Sequence, residues 1–283
     1  MENNIREIKE KCNIFSKCVD VDLDFQENLM AYNDDMLKIV RCCINNFVVN
    51  TDYSNGTLTV YGKSKIYLTY VSETTSCLTT ADFEEDFQKA ITIEGNYEDV
   101  VAEVFVMNKY SNFRVINQRR IDIHNAFALN IRACACQPVQ MIESVPDVLV
   151  RRDSVKYFSL AGTAYARAEF EEDAAIPADS EVVKRIINTF SNVHTDEVKI
   201  IKNKMLVKAT AEFSLLYTTD TDNEIIRKCE KTVSISKIID IIGIDEDDHA
   251  VVNVNAGNMY VKPKADKNNE VRMIELLGDV NKS

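Results

Sequence analysis

The sequence predicts a mainly β chain: two tandem, duplicated β-sandwich-like domains, residues 1–140 and 146–283, each with one short helix. Three observations predict it. The chain repeats itself: Tyr70 falls on Tyr217 (217 − 70 = 147), and at the same separation Leu68 falls on Leu215, Val60 on Val207, Asn45 on Asn192 and Ile39 on Ile186. After one extra residue the match resumes, with Ile91, Ile93, Gly95 and Asp99 on Ile239, Ile241, Gly243 and Asp247. A repeat this long is a duplicated domain, not a solenoid unit of about 20–50 residues. Apolar residues alternate with period two through the repeated words, the pattern of a strand with one buried face. The length, 283 residues, divides into two at about 150 residues per domain, and each half is long enough to bury a core.

The elements follow in order. In the first copy, Asp34 is placed to cap a short helix whose apolar stripe is Met36, Leu37 and Val40. Asn55-Gly56 is a hairpin signal, because both residues tolerate positive φ. The clearest strand follows it, TLTVYGKSKIYLTYV. Leu58, Val60, Gly62, Ser64, Ile66, Leu68 and Tyr70 share one face; Thr57, Thr59, Lys63, Lys65 and Thr69 share the other. The small residues Gly62 and Ser64 imply a bend, or the close approach of another backbone or ring. Further strands are expected at DVVAEVFVM and IDIHNAFALNIRA. The boundary is placed between Pro138 and Pro146, where the approach strand of the second copy, VLVRRDSVKYFSLAGTAYARAEF, begins. In that copy Pro177 stops the preceding segment and Asp179 or Ser180 caps a helix striped by Val182, Val183, Ile186 and Ile187. Asn203 holds the turn, and Met205, Val207, Ala209, Ala211, Phe213, Leu215 and Tyr217 line the buried face of the next strand. A last strand is read at HAVVNVNA.

The formal charge of −12 opposes nucleic acid, whose phosphates need a basic face, and opposes an anionic membrane surface. No run of about 18 apolar residues marks a membrane span, and the charged start MENNIREIKEK does not read as a signal peptide. The expectation is synthesis in a cytoplasm.

The eight cysteines are Cys12, Cys18, Cys42, Cys43, Cys77, Cys134, Cys136 and Cys229. None has a counterpart in the other copy, so they lie outside the shared recipe. The close pairs Cys42-Cys43 and Cys134-Ala135-Cys136 do not have zinc-knuckle spacing. Two readings stay open: buried free thiols in a reducing compartment, or cross-links between subunits on an oxidised surface. Cys134 and Cys136 share one face of a strand, exposed or buried.

No catalytic motif is present: there is no G-x-S-x-G, H-E-x-x-H or P-loop, and His124, His194 and His249 fall in different contexts. The acidic runs Glu84-Glu85-Asp86, Glu171-Glu172-Asp173 and Asp245-Glu246-Asp247-Asp248 lack the spacing of a calcium loop and read as solvated turns. The Arg119-Arg120 and Arg151-Arg152 pairs read as charged strand edges that block aggregation. No catalytic residue, cofactor or metal is assigned, and the chain is read as not an enzyme.

The repeated word is a hydrophobic-acidic approach strand, then DDMLKIVRC or DSEVVKRII, a turn, and KMLVKATAEFSLLYTT. An apolar segment ending in glycine (ITIEG, IDIIG) and an acidic turn follow it. With VINQRRIDIHNAFALNIRA, this pattern resembles the SPOCS domain, the tandem spore-coat module of clostridial and related endospore formers (the SipL-like family), over roughly residues 15–136 and 147–278. The resemblance implies a non-enzymatic structural protein of the spore coat, exosporium or spore surface. It would be made in the mother cell and deposited on the spore. Its partners would be other copies of itself, through self-assembly of the repeats, and other coat proteins. The alternative is an adaptor that docks one coat morphogenetic protein without polymerising.

Overall fold

A computed structural model describes residues 4–144, 161–162, 164, 166–177, 180–221 and 225–282. Twelve strands are described and no helix: β1 (Asn4–Asn28), β2 (Met36–Ser54), β3 (Thr57–Ser72), β4 (Leu78–Thr92), β5 (Val101–Asn117), β6 (Arg120–Ser144), β7 (Ala166–Ala175), β8 (Val183–Ile201), β9 (Lys204–Thr219), β10 (Ile226–Asp240), β11 (Val254–Ala265) and β12 (Val271–Lys282). They form four three-stranded sheets, ordered β1-β6-β5, β2-β3-β4, β11-β12-β7 and β10-β9-β8, with every pairing antiparallel.

Within the first half, Val21, Phe127 and Leu129 from β1-β6-β5 share a core with Leu58, Val60 and Phe87 from β2-β3-β4. Within the second, Ala168, Leu276 and Val280 meet Phe213, Leu215 and Val233 in the same way. Alternation in β3 and β9 dictates this, since all seven residues expected on each inner face are buried.

The two expected helices are strands. Asp34 does not cap a helix; it lies in the loop before β2, and Ser180 lies in the approach to β8. Asp179 lies outside the described residues, as do Pro146, the Arg151-Arg152 pair and most of the expected approach strand, from which β7 is described. The physical reason is a pair of bulges. In β2, register shifts at Met36/Lys38 and Ile39/Arg41 push Leu37 and Val40 out of the ladder. The core side then carries Met36, Ile39 and Cys42, spaced by three instead of two. That spacing imitates one face of a helix. β8 has the same two shifts, at Val183/Arg185 and Ile186/Asn188. A third falls at Val48/Asn50 in β2 and at Thr195/Glu197 in β8. All three pairs of bulges stand 147 residues apart.

The turns also correspond. Asn55 (φ 50°) and Gly56 (φ 76°) form the tight hairpin expected of them. Asn203 (φ 61°) stands where Gly56 does in the first half. Ile93 N donates to Gly56 O at 2.8 Å, and Ile241 N to Asn203 O at 3.0 Å. Gly95 (φ 110°) and Gly243 (φ 93°) follow. The small residue at 62 answers to a ring: a Cβ there would run into Phe87, which packs edge-on against Phe127 at 4.9 Å between ring centres. β11 begins at Val254, so only the end of HAVVNVNA is strand.

The cores differ at one level. In the first half Asn46 takes hydrogen bonds on Oδ1 from Ser64 Oγ (2.7 Å) and Asn125 Nδ2 (2.8 Å), and donates from Nδ2 to Asn108 Oδ1 (2.9 Å). Glu27 and Glu85 face one another from the edge strands β1 and β4. This polar layer divides the first core into two apolar clusters. At the corresponding places the second half has Val193, Ala211, Gly278, Ala256, Ala174 and Val233, so one apolar cluster runs through this level, and a second lies around Met205, Val207 and Ile239.

Candidate interaction surface

β5 is an edge strand, and its outer end is its distinguishing part. Residues 107–117 are all exposed, eleven in succession. They include Met107 (53% exposed), Tyr110 (55%), Phe113, Val115 and Ile116. The alternation that placed Val104 and Val106 against the core runs past the end of the covering sheet, so apolar side chains continue where nothing described covers them. Bulges at Lys109 and Ile116 interrupt the ladder to β6. Lys109 pairs with Asp20 at 2.6 Å and Arg114 with Asp122 at 3.0 Å, so charges flank the apolar side chains. A groove of about 520 Å³ beside Phe113 is lined by Phe25, Asp122 and His124. His124, on the central strand β6, is held by Asp24 (Nδ1 to Oδ1, 2.8 Å) and lies 3.4 Å from the Tyr110 hydroxyl. The corresponding stretch of β11 carries Asn255, Asn258, Val261, Pro263 and Lys264, so the apolar ribbon belongs to one half.

All eight cysteines are free thiols. Cys18 is exposed on the outer face of the β1-β6 pair, opposite Asn130. Cys134 and Cys136 are half-buried on that same outer face, which answers the question their spacing left open. Cys12 lies opposite Ala135 on the inner face. Cys77 sits in the β3–β4 turn, its thiol 3.4 Å from the Thr75 carbonyl. Cys43 accepts a bond from Arg41 Nε at 2.7 Å. Burial, with a further contribution from Cys43, pushes the Cys42 thiol up to about 11, which keeps it protonated and unreactive at neutral pH. Cys229 is buried among Tyr217 and Val233. Of the eight, only Cys18 is fully presented.

Two acidic runs are not turns. Glu84-Glu85-Asp86 lies in β4: Glu84 and Asp86 flank Lys63 on the outer face, while Glu85 points inward to Glu27. Glu171-Glu172-Asp173 lies in β7, with Asp173 on Lys264 at 2.7 Å. Asp245–Asp248 is a turn that consumes its own carboxylates, Asp248 Oδ2 accepting from Asp245 N at 2.8 Å. No cluster of three metal-binding side chains occurs among the described residues.

Arg119 does not guard an edge. It donates to the carbonyls of Met30 (2.8 Å), Asn33 (3.1 Å) and Leu29 (3.3 Å), and pairs with Asp35. It thereby ties the β5–β6 hairpin to the loop between β1 and β2. Sequence reasoning missed this role, because the loop that binds Arg119 lies some 90 residues away.

Residues 182–264 match the family model described as SipL, SPOCS domain. This segment is similar to the SPOCS domain. The matched SPOCS segment spans β8, β9, β10 and nearly all of β11, and β2 to β5 have the same pairing in the first half. No curated protein and no solved structure matches the chain significantly. No helix among the described residues is long and apolar enough to cross a membrane.

Proposed function

We propose that this protein has a structural role in sporulation: two SPOCS-type modules in tandem, in residues 1–140 and 146–283, that assemble a spore coat or spore-surface layer by self-association and have no enzymatic activity. The SPOCS match supports the sporulation role. The observation that carries self-association is the outer end of β5, a ribbon with a free edge and both faces exposed, rich in Met, Tyr, Phe, Val and Ile. A strand added there gains main-chain hydrogen bonds, and its side chains cover the exposed apolar ones. Because the ribbon exists in one half only, contact with a different surface of the next copy is head-to-tail, and such contacts propagate into a ring or filament. Cys18 on the outer face is the thiol best placed to cross-link neighbours after oxidation.

The same asymmetry supports a second reading, an adaptor that offers this edge to one coat morphogenetic protein. Replacing Tyr110 and Phe113 by Lys tests both. Both side chains are about half exposed, so the fold tolerates the change. Self-association of the parent protein, lost in the double variant, supports assembly. A parent that stays monomeric in sedimentation at high concentration, reduced and oxidised, contradicts it; loss of a coat-protein complex in the variant then supports the adaptor.

A further inference from the structure

The face of β3 that carries Lys65 alternates away from its own core, and sequence alone places it in water. The second half covers it instead. Lys65 is only 5% exposed. Its ammonium lies 3.8 Å from the ring centre of Tyr260 in β11 and 5.4 Å from that of Tyr67. Arg41 of β2 stacks its guanidinium 4.4 Å above the Phe190 ring of β8. Between these residues lies a cleft of about 440 Å³, within the usual size of small-ligand sites.

The cleft has unsatisfied positive charge. Among the described residues no carboxylate stands within ion-pair distance of Lys65 and no acceptor bonds its ammonium's three N–H groups; its close contacts are the two rings. Arg41 spends Nε on Cys43 and turns the face of its guanidinium to Phe190. Burial lowers the Lys65 pKa, and the fields of Asp82 and Glu84 oppose that shift. Ammonium groups are almost never this buried without a partner, because desolvation is costly. Aromatic faces recover part of that cost but leave the N–H donors unused. The second half repeats the strand without this chemistry: Glu212 stands at the position of Lys65 and Asn188 at that of Arg41. Two cations were therefore placed here independently of the duplicated scaffold.

We propose that the cleft between the two halves binds a carboxylate, which Lys65 and Arg41 hold while Tyr67, Tyr260 and Phe190 enclose the apolar part that bears it. The carboxylate belongs either to a free small acid or to a Glu or Asp side chain of a partner segment. The chemistry is the same in both: an oxygen pair takes the free ammonium donors and the free edge of the guanidinium.

Two probes separate the sources: benzoate, and the blocked peptide acetyl-Glu-Tyr-Glu-amide. Each is titrated by calorimetry into the full chain and into Lys65→Met and Arg41→Gln variants. Lys65→Met keeps the buried stem, and Arg41 is exposed, so at least the second variant folds normally. The expected result is saturable binding of one probe, weakened at least tenfold in each variant and weakened by raised salt. Tighter binding of benzoate assigns a free acid; tighter binding of the peptide assigns a partner segment. No saturable binding of either probe overturns the proposal, as does binding that both variants leave unchanged.

Discussion

Arg119 and Arg272 hold the same place in the two halves. Arg119 Nη1 donates to the carbonyl of Asn33 at 3.1 Å, and Arg272 Nη1 to that of Ser180, 147 residues on, at 3.3 Å. Their own carbonyls accept from Leu29 N (2.8 Å) and Ile176 N (2.9 Å), again 147 residues apart. Each arginine latches the last hairpin of its half onto the loop that connects the two sheets. The Tyr70 hydroxyl donates into the first of these loops, to the Asp34 carbonyl at 3.0 Å.

Arg119→Ala removes three carbonyl bonds and a partly exposed ion pair, and lowers stability by about 2 kcal/mol. Arg272→Ala, with one long carbonyl bond and a partly exposed ion pair to Glu270 to lose, costs about 1 kcal/mol. Urea unfolding of the two variants checks the order; equal losses contradict the difference in bonding.

Gly62→Ala drives a methyl into the Phe87 ring and costs about 1–3 kcal/mol through overpacking. The second half shows the remedy, since Ala209 lies opposite Ile235 where Gly62 lies opposite Phe87. Adding Phe87→Ile to Gly62→Ala recovers part of the loss. A double variant no more stable than the sum of its single changes shows that the two positions are not coupled.

Burial first, and then the charge of Glu85, raise the Glu27 carboxyl from 4.5 to about 7. Glu27 Oε1 is buried without a hydrogen-bond partner. The folded chain therefore holds a proton here that the unfolded chain releases near pH 4.5. Stability from this group is fully present below that pH. It falls as pH rises toward 7 and is level above, by about 2–3 kcal/mol in all. Glu27→Gln removes this slope and raises the melting temperature at pH 8. A parent and variant with parallel stability curves from pH 5 to 8 contradict the assignment.

Much of the fold was legible because strand alternation is local. The buried faces of β3 and β9 read directly from Leu58 to Tyr70 and from Met205 to Tyr217, and the Asn55-Gly56 turn from its own chemistry. The two expected helices misled because bulges at Leu37 and Val40 space the core residues of β2 by three. The polar layer around Asn46 was hidden because its members come from β2, β3, β5 and β6, far apart in the chain. The cover over Lys65 was hidden for the same reason: Tyr260 reaches it from the other half. The exposed end of β5 looked like any other alternating strand, since exposure depends on where the facing sheet stops.

Negative-stain electron microscopy of the full chain, with and without reductant, tests self-association through the β5 ribbon most directly. Regular filaments, sheets or rings that vanish in the Tyr110→Lys/Phe113→Lys variant are the predicted result, and their loss in reductant would add Cys18 as the cross-link. Dispersed single particles of the parent protein under both conditions would contradict assembly.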